Sequence, residues 1–496
     1  MILPQHDLDR RELYPFFKRP VLVRILIVTD GSAAFDRESA FGLGRAIDVL
    51  RSDPWWYARF VITTAHRQNA DDDAAHPDLK LHKSFRFDNP GELKLDRFDE
   101  IWLFGVNRTG DALTDTERAA LEAFMDGGGG VFATGDHEDL GAAMCSELKR
   151  VRYMRRWKTG GVAGSPPPQS GAKRHDTLRE GLTPGFQFSD QSDNVPQPIA
   201  PKRYYEPADL ITYVRRWAPH PILCGRSGVV DVLPDHMHEG WVVAPTRNNG
   251  DFPGATLPEV IATATVLVHA TPGVPPNETS DPVETTAKQF GVLGAYDGAR
   301  EGVGRIVTDA TWHHWFNINL VGFSNGEPSW ELIKDYFWNT ALWLARKATR
   351  QAVAERAVSG LVLLQPFNEL DLWKIPIADL GWMARDALGR RATRCAVKQF
   401  LFDLEGIDRE WREERWPPIP GPDPRAIIEA HRELIFLGEA LRRISRSAQT
   451  EGADATLDEA ACGSALSEAA AAAAKETASW TRELLGSFER AAASLR

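Results

Sequence analysis

The chain has 496 residues, 43% hydrophobic and 26% charged, so it is longer than one hydrophobic core usually supports, and two or three globular domains are expected. A formal net charge of −11 argues against nucleic acid or an anionic membrane as the main partner, because both attract basic surfaces. No run approaches eighteen apolar residues, which excludes a membrane span, and the acids near the N-terminus exclude an ordinary secretory signal. The cysteines, Cys145, Cys224, Cys395 and Cys462, are widely spaced with no CxxC pair, which fits a reducing cytoplasm and gives no zinc-knuckle signature.

Residues 21–29, VLVRILIVT, form the near-continuous apolar run that a buried parallel strand needs, and they end in the turn Asp30-Gly31-Ser32. A helix is expected over 37–51 and a second strand over 60–63. Residues 71–90 read as a polar surface loop with a short strand near 85–87, and 101–104 as a third strand. Thr114 caps the next helix, with Glu117 three residues on completing a capping box, and the glycine run at 127–130 stops it. Strand and helix alternating in this rhythm predict an α/β domain with a mostly parallel sheet, helices on both faces and right-handed crossovers.

The glycine run opens the most informative stretch, GGGGVFATGDHEDLG at 127–141: a short strand, a sharp Thr-Gly turn and the polar cluster Asp136, His137, Glu138, Asp139 before another helix. In open α/β sheets ligands bind outside the carboxyl ends of the strands, so an imidazole among carboxylates there is a site candidate. Acidic residues also suit a helix's first turn, but capping needs one carboxylate and no histidine. Asp30, at the end of the first strand, is a further candidate, and Cys145 reads as core packing.

Beyond the elbow, KRVRYMRRWK at 149–158 is a basic run that either greets an anionic substrate or, as such runs more often do, forms a solvated face. Residues 159–200, rich in Gly, Pro and Ser, read as a long excursion over the carboxyl edge, the usual place of a lid. A second cluster follows as Asp235-His236-Met237-His238-Glu239. Extended backbone puts His236 and His238 on one side, a donor set that Zn²⁺ or Mn²⁺ accepts, although polar loop residues facing water have the same pattern.

Strands are expected over 260–269 and, as a hairpin, over 290–298 and 304–311, running into Trp312-His313-His314-Trp315. One of these histidines is expected to pack in an aromatic core and the other to face the site. A helix over about 330–350 closes an α/β domain of residues 1–350. Residues 351–496 read as an α-helical C-terminal region, with amphipathic patterns at 426–444 and near the end, that serves packing, oligomerisation or a protein partner. Trp102, Trp241, Trp312 and Trp315 lie near strand ends where an indole can stack on a sugar, though core packing is the commoner use.

Three segments together resemble the class I glutamine amidotransferase-like superfamily, most closely its trehalose-utilisation (ThuA-like) branch. They are LTDTERAALEAFMDGGGGVFATGDH, PHPILCG followed by LPDHMHEG, and FGVLGAYDGAREGVGRIVTDATWHH, and the resemblance covers about residues 21–348. It implies a flavodoxin-like sheet with the site at the elbow. Amidotransferases carry a nucleophilic cysteine where this chain has His137, as ThuA-like proteins do, so glutamine hydrolysis through a thioester is not implied. His313 falls at the family's closing histidine, and Asp235 to Glu239 at its acidic motif. The C-terminal helices lie outside the resemblance.

These readings combine into a hydrolase-type enzyme acting on a small molecule of the carbohydrate-related kind that the family suggests. Asp136, His137, Glu138, His313 and Asp30 are its candidate catalytic residues, and Asp235, His236, His238 and Glu239 its candidate ligands for a divalent metal. A bound metal brings the pKa of its water near 7, with Glu138 or Glu239 as general base; without metal, His137 and His313 form an acid–base pair. The other reading is a non-catalytic ligand-binding or scaffold protein whose helical tail is the effector or oligomerisation arm. The concentration of His137, His220, His236, His238, His313 and His314 in the three motifs favours the enzyme.

Overall fold

The computed structural model describes residues 20–52, 57–136, 139–157, 196–206, 216–226, 228–234, 242–248, 250–266, 269–270, 284–285, 288–363, 367, 370–389, 424–450 and 459–494. Its frame is a nine-stranded sheet. In chain order the strands are β1 (Val21–Thr29), β2 (Ala58–His66), β3 (Leu81–His82), β4 (Glu100–Phe104), β5 (Gly130–Thr134), β6 (Ala200–Pro201), β7 (Glu259–Val266), β8 (Lys288–Tyr296) and β9 (Ile306–Asp309). They lie side by side as β3-β2-β1-β4-β5-β9-β8-β7-β6. The first six in that order are mutually parallel, and β8, β7 and β6 continue the sheet through antiparallel pairings.

Alternation along β1 shows why the apolar run must be continuous. Ile25 and Ile27 enter one hydrophobic cluster while Leu26 and Val28 enter the other, so both faces of the strand are covered. Helices α1 (Gly44–Arg51), the one-turn α4 (Asn317–Leu320) and α5 (Pro328–Leu344) supply residues such as Ile47, Leu320, Phe337 and Leu344 to the first cluster. Helix α2 (Asp115–Asp126) supplies Leu121, Phe124 and Met125 to the second, as does the one-turn helix α3 (Ala142–Cys145) with Met144 and Cys145. Thr114 caps α2 with the capping box that its sequence predicts.

Four elements differ from the sequence expectation. Helix α1 starts at Gly44 rather than near residue 37, because Asp36 Oδ1 accepts the N–H of Glu38 and Ser39 and holds a turn there. The side-chain amide of Asn317 then binds the carbonyls of Asp36 and Ser39, fixing that turn. The short strand lies at Leu81–His82, not at 85–87: Ser84 adopts φ 52°, and Phe85 and Phe87 turn inward to meet edge to face. Part of the expected excursion is strand, since Gln197–Pro198 pairs with Val232–Leu233 and β6 pairs with β7. The closing helix ends at Leu344, where Arg346 reaches back to the carbonyls of Phe98 and Gly127.

Helix α6 (Lys347–Ser359) runs across residue 350, and α7 (Ile377–Gly389), α8 (Pro424–Thr450) and α9 (Glu459–Ser494) follow. Val353, Leu380, Leu437 and Ala469 from these four helices join the cluster that packs under β1. Among the described residues no helix is long and apolar enough to cross a membrane. Cys145 and Cys462 are buried, whereas Cys224 is disulfide-bonded, so wide spacing of the cysteines did not exclude a disulfide.

Candidate functional site

Strand register aligns the carboxyl edge. Thr29 stands opposite Phe104, Phe104 opposite Thr134, and Thr134 opposite Asp309, so Asp30, Gly105, Gly135 and Ala310 form the next row. The elbow after β5 is built on close backbone approach. A Cβ on Gly135 would stand 2.1 Å from the Leu140 carbonyl oxygen, and one on Gly105 would stand 2.5 Å from Gly141 Cα. Glycine is therefore required where the chain doubles back, and the reversal leaves Asp136 bridged to Leu140 at the strand end.

On the adjacent strand, β9 leads into the turn Trp312–His314, whose cap is the Thr311 hydroxyl accepting from His313 N–H at 3.0 Å. Trp312 N–H donates to the Gly135 carbonyl at 2.9 Å, tying that turn to the elbow. The result is a buried pair: His313 Nε2 lies 3.5 Å from Asp136 Oδ2, both side chains being 0% exposed. The other ring nitrogen, Nδ1, is 2.7 Å from Asn319 Oδ1, which can only accept, so Nδ1 carries the hydrogen and Nε2 is the nitrogen turned to the carboxylate.

His314 is spent differently. Its Nδ1 donates to Asp309 Oδ1 at 2.6 Å, and Asp309 Oδ2 accepts from Trp315 Nε1 at 3.0 Å and Tyr336 O–H at 2.7 Å. That carboxylate is a buried hub whose three side-chain donors orient the aromatic core, and His314 is the packed member of the two histidines.

Asp30 sits on the same edge, about 10 Å from the elbow by two strand spacings. Its Oδ1 accepts the N–H of Val106 at 2.6 Å and of Asn107 at 3.0 Å. Oδ2 is buried with no hydrogen-bond partner among the described residues. Burial pushes its carboxyl up to about 6 against the pull of those two N–H groups and of Arg67. His137, Glu138, Asp235, His236, His238 and Glu239 lie outside the described residues.

The basic run is not a solvated face. Arg150, Arg155 and Arg156 are buried. Arg150 pairs with Asp126 and bonds Asp251, and Arg152 grips Asp251 at 2.6 and 2.8 Å. Arg155 stacks over Trp157 and donates to the Ala310 and Arg156 carbonyls. Burial brings its guanidinium down to about 10, and Asp136 is the charge that opposes this most. The only sign in the sequence was its place between Met154 and Trp157, both wholly buried; Asn319 gave no sign at all.

The tryptophans are equally committed. Trp102 donates to Glu100 Oε2 at 2.7 Å, Trp315 stacks on Phe337, and Trp312 stacks on Phe316 with Phe41 at its edge. None of the three offers a face to a sugar, and Trp241 lies outside the described residues. Cys145 is core as expected, its thiol pushed up by burial.

One described trio, Asp48, His76 and Asp78, has ligand atoms near enough to share a cation. Its members are already bound to one another and to two arginines. His76 Nε2 donates to Asp48 Oδ1 and Nδ1 accepts Asp78 N–H, while Arg37 bonds both carboxylates and Arg51 bonds Asp78. Burial would raise Asp48, but these hydrogen bonds outweigh it and hold the carboxyl at about 2. The trio is an ion-pair network.

No protein-family model matches the chain, and no curated protein matches it.

Proposed function

We propose that the chain is a hydrolase-type enzyme acting on a small, carbohydrate-related molecule, with Asp136 and His313 as its acid–base pair in a flavodoxin-like domain of the amidotransferase-like, ThuA-like kind. The observation that carries the reading is the direction of the ring. With Nδ1–H given to Asn319, two proton acceptors, Nε2 and Oδ2, face each other 3.5 Å apart. A proton between them would stabilise such a contact, and a pair holding one mobile proton can give it to a leaving group or take it from water.

Topology supports the fold assignment. Leaving out the two-residue β3, the parallel strands in chain order lie as 2-1-3-4-5, the flavodoxin-like order, with sites at the carboxyl ends. Asp235, His236, His238 and Glu239 are the donor set that Zn²⁺ or Mn²⁺ would take, and such an ion supplies an activated water. Cys145 is buried with a raised thiol pKa, so thioester chemistry is not part of the proposal.

One observation favours the second reading, a ligand-binding or scaffold protein: both members of the pair are closed to solvent. The two readings separate in an assay of the full chain on p-nitrophenyl glycosides, esters and phosphates, with and without added Zn²⁺ or Mn²⁺. Turnover that disappears in Asp136→Asn supports the enzyme. No turnover on any of them, or turnover unchanged in that variant, leaves the binding protein.

A further inference from the structure

The Asp309 hub uses only one nitrogen of His314. Nδ1 is 2.6 Å from Asp309 Oδ1, which the Thr311 N–H also approaches at 3.4 Å. Asp309 Oδ2 accepts from Trp315 Nε1 at 3.0 Å and from Tyr336 O–H at 2.7 Å. With both carboxyl oxygens accepting, Nδ1 carries the hydrogen and the neutral ring keeps its lone pair on Nε2. That Nε2 is buried with no hydrogen-bond partner among the described residues, and Trp312 Nε1 on the same turn is buried without one too. Folded proteins rarely leave buried polar atoms in this state, and a catalytic role is one reason to keep them so.

The place is the strand edge. His313 and His314 are consecutive, about 3.8 Å apart at Cα. Each meets a carboxylate, Asp136 just past β5 and Asp309 at the end of β9, and these strands pair with Thr134 opposite Asp309. The two rings are held the opposite way round: His313 turns Nε2 to its carboxylate, whereas His314 turns Nδ1 to its own. An imidazole held through Nδ1 by a carboxylate, with Nε2 bare, is set to take a proton from an attacking group. No described serine, threonine or cysteine bonds that Nε2, which leaves water as the attacking group.

We propose that His314 is the general base of the site: Asp309 orients the ring, and Nε2 holds the attacking water and takes its proton. The assignment rests on the hydrolase reading above, where hydrolysis needs an acid as well as a base and neighbouring groups in unlike environments divide the two tasks. As the water oxygen bonds the electrophilic atom of the substrate, its proton passes to His314 Nε2. The bond to the leaving group breaks, and the leaving group takes the proton of the Asp136–His313 pair. One proton is gained at His314 and one is lost from the pair, so water is consumed and the charge of the site is unchanged.

The test joins a two-bond ¹H–¹⁵N spectrum of the full-length, ¹⁵N-histidine-labelled protein at neutral pH with a crystal structure that resolves water. His314 is assigned by its disappearance in His314→Gln or His314→Asn. The expected wild type has a bare Nε2 with a water in hydrogen-bond reach. In Asp309→Asn the amide oxygen stays against the Trp315 N–H, which only donates, so the NH₂ faces Nδ1 and the hydrogen moves to Nε2. In Asp309→Asn and in His314→Gln alike, kcat on the chromogenic substrate falls about 10²- to 10⁴-fold with KM little changed, whereas a histidine that only packs leaves kcat alone in a folded variant. Asp309→Asn keeps the shape of the side chain and carries the comparison should His314→Gln not fold. A hydrogen on Nε2 in an active wild type, an Nε2 that no water reaches, or a folded variant at the wild-type kcat overturns this assignment alone. No turnover by the wild type overturns the hydrolase reading and the base with it.

Discussion

Asp30 Oδ1 accepts the Val106 N–H at 2.6 Å, and through the next residue this contact reaches the elbow. Asn107 gives its own N–H to the same oxygen and takes the N–H of Gly141 and Ala143 on its carbonyl. The end of β1 therefore sets the loop against which the chain after Asp136 closes. Asp30→Ala removes the shared acceptor of two backbone N–H groups, at a cost of about 1–3 kcal/mol for each donor left unsatisfied. Thermal unfolding should show the loss, and hydrogen exchange at Gly141 and Ala143 should quicken. Unchanged exchange there would break the link between Asp30 and the elbow.

Asp30 also makes a pH prediction. Unfolded, its carboxyl loses its proton near pH 4, whereas in the fold it keeps it to about 6, so between these values the folded state binds more protons. Stability from this group is complete below about pH 4 and is lost as pH rises through 6, a change of about 3 kcal/mol for a shift of about two units. Asp30→Asn carries a constant penalty without this slope. The gap between wild type and variant in Tm, followed from pH 4 to 7, should narrow; a constant gap contradicts the burial argument.

Asp251 anchors Arg150 and Arg152. Replacing it with Ala leaves Arg150 and Arg152 without their shared partner, and breaking a buried pair from one side costs about 3–5 kcal/mol. Arg152 is partly exposed, so the lower end applies. A drop in Tm of under a degree would mean that the run is solvated after all.

Gly135→Ala tests the elbow's geometry. A methyl group 2.1 Å from the Leu140 oxygen forces backbone to move, which places the substitution among the severe ones, above about 3 kcal/mol. A folded Gly135→Ala protein with wild-type Tm would show that the reversal is looser than described.

These residues also show what the sequence made legible. Hydrophobic runs located β1, β4, β5 and the β8–β9 hairpin, because burial on both faces leaves no other pattern, and Thr114 with Glu117 announced α2 through purely local bonds. Asp136 and His313 were named as candidates because each follows a strand, but that they meet depended on β9 pairing with β5 across more than 170 positions of chain. Arg155 was misread because a basic run looks solvated until the carbonyls and the indole that receive it are known. Helix α1 was drawn too long because the clamp on Asp36 comes from Asn317, far along the chain.

The most direct test of the account is kcat/KM of His313→Gln on whichever chromogenic substrate the wild type turns over, with Tm recorded beside it. The account predicts a loss of about 10²- to 10⁴-fold, the usual worth of a positioned acid or base, in a protein that still folds. A folded His313→Gln enzyme working at the wild-type rate would contradict it, since the buried pair would then play no part in the chemistry.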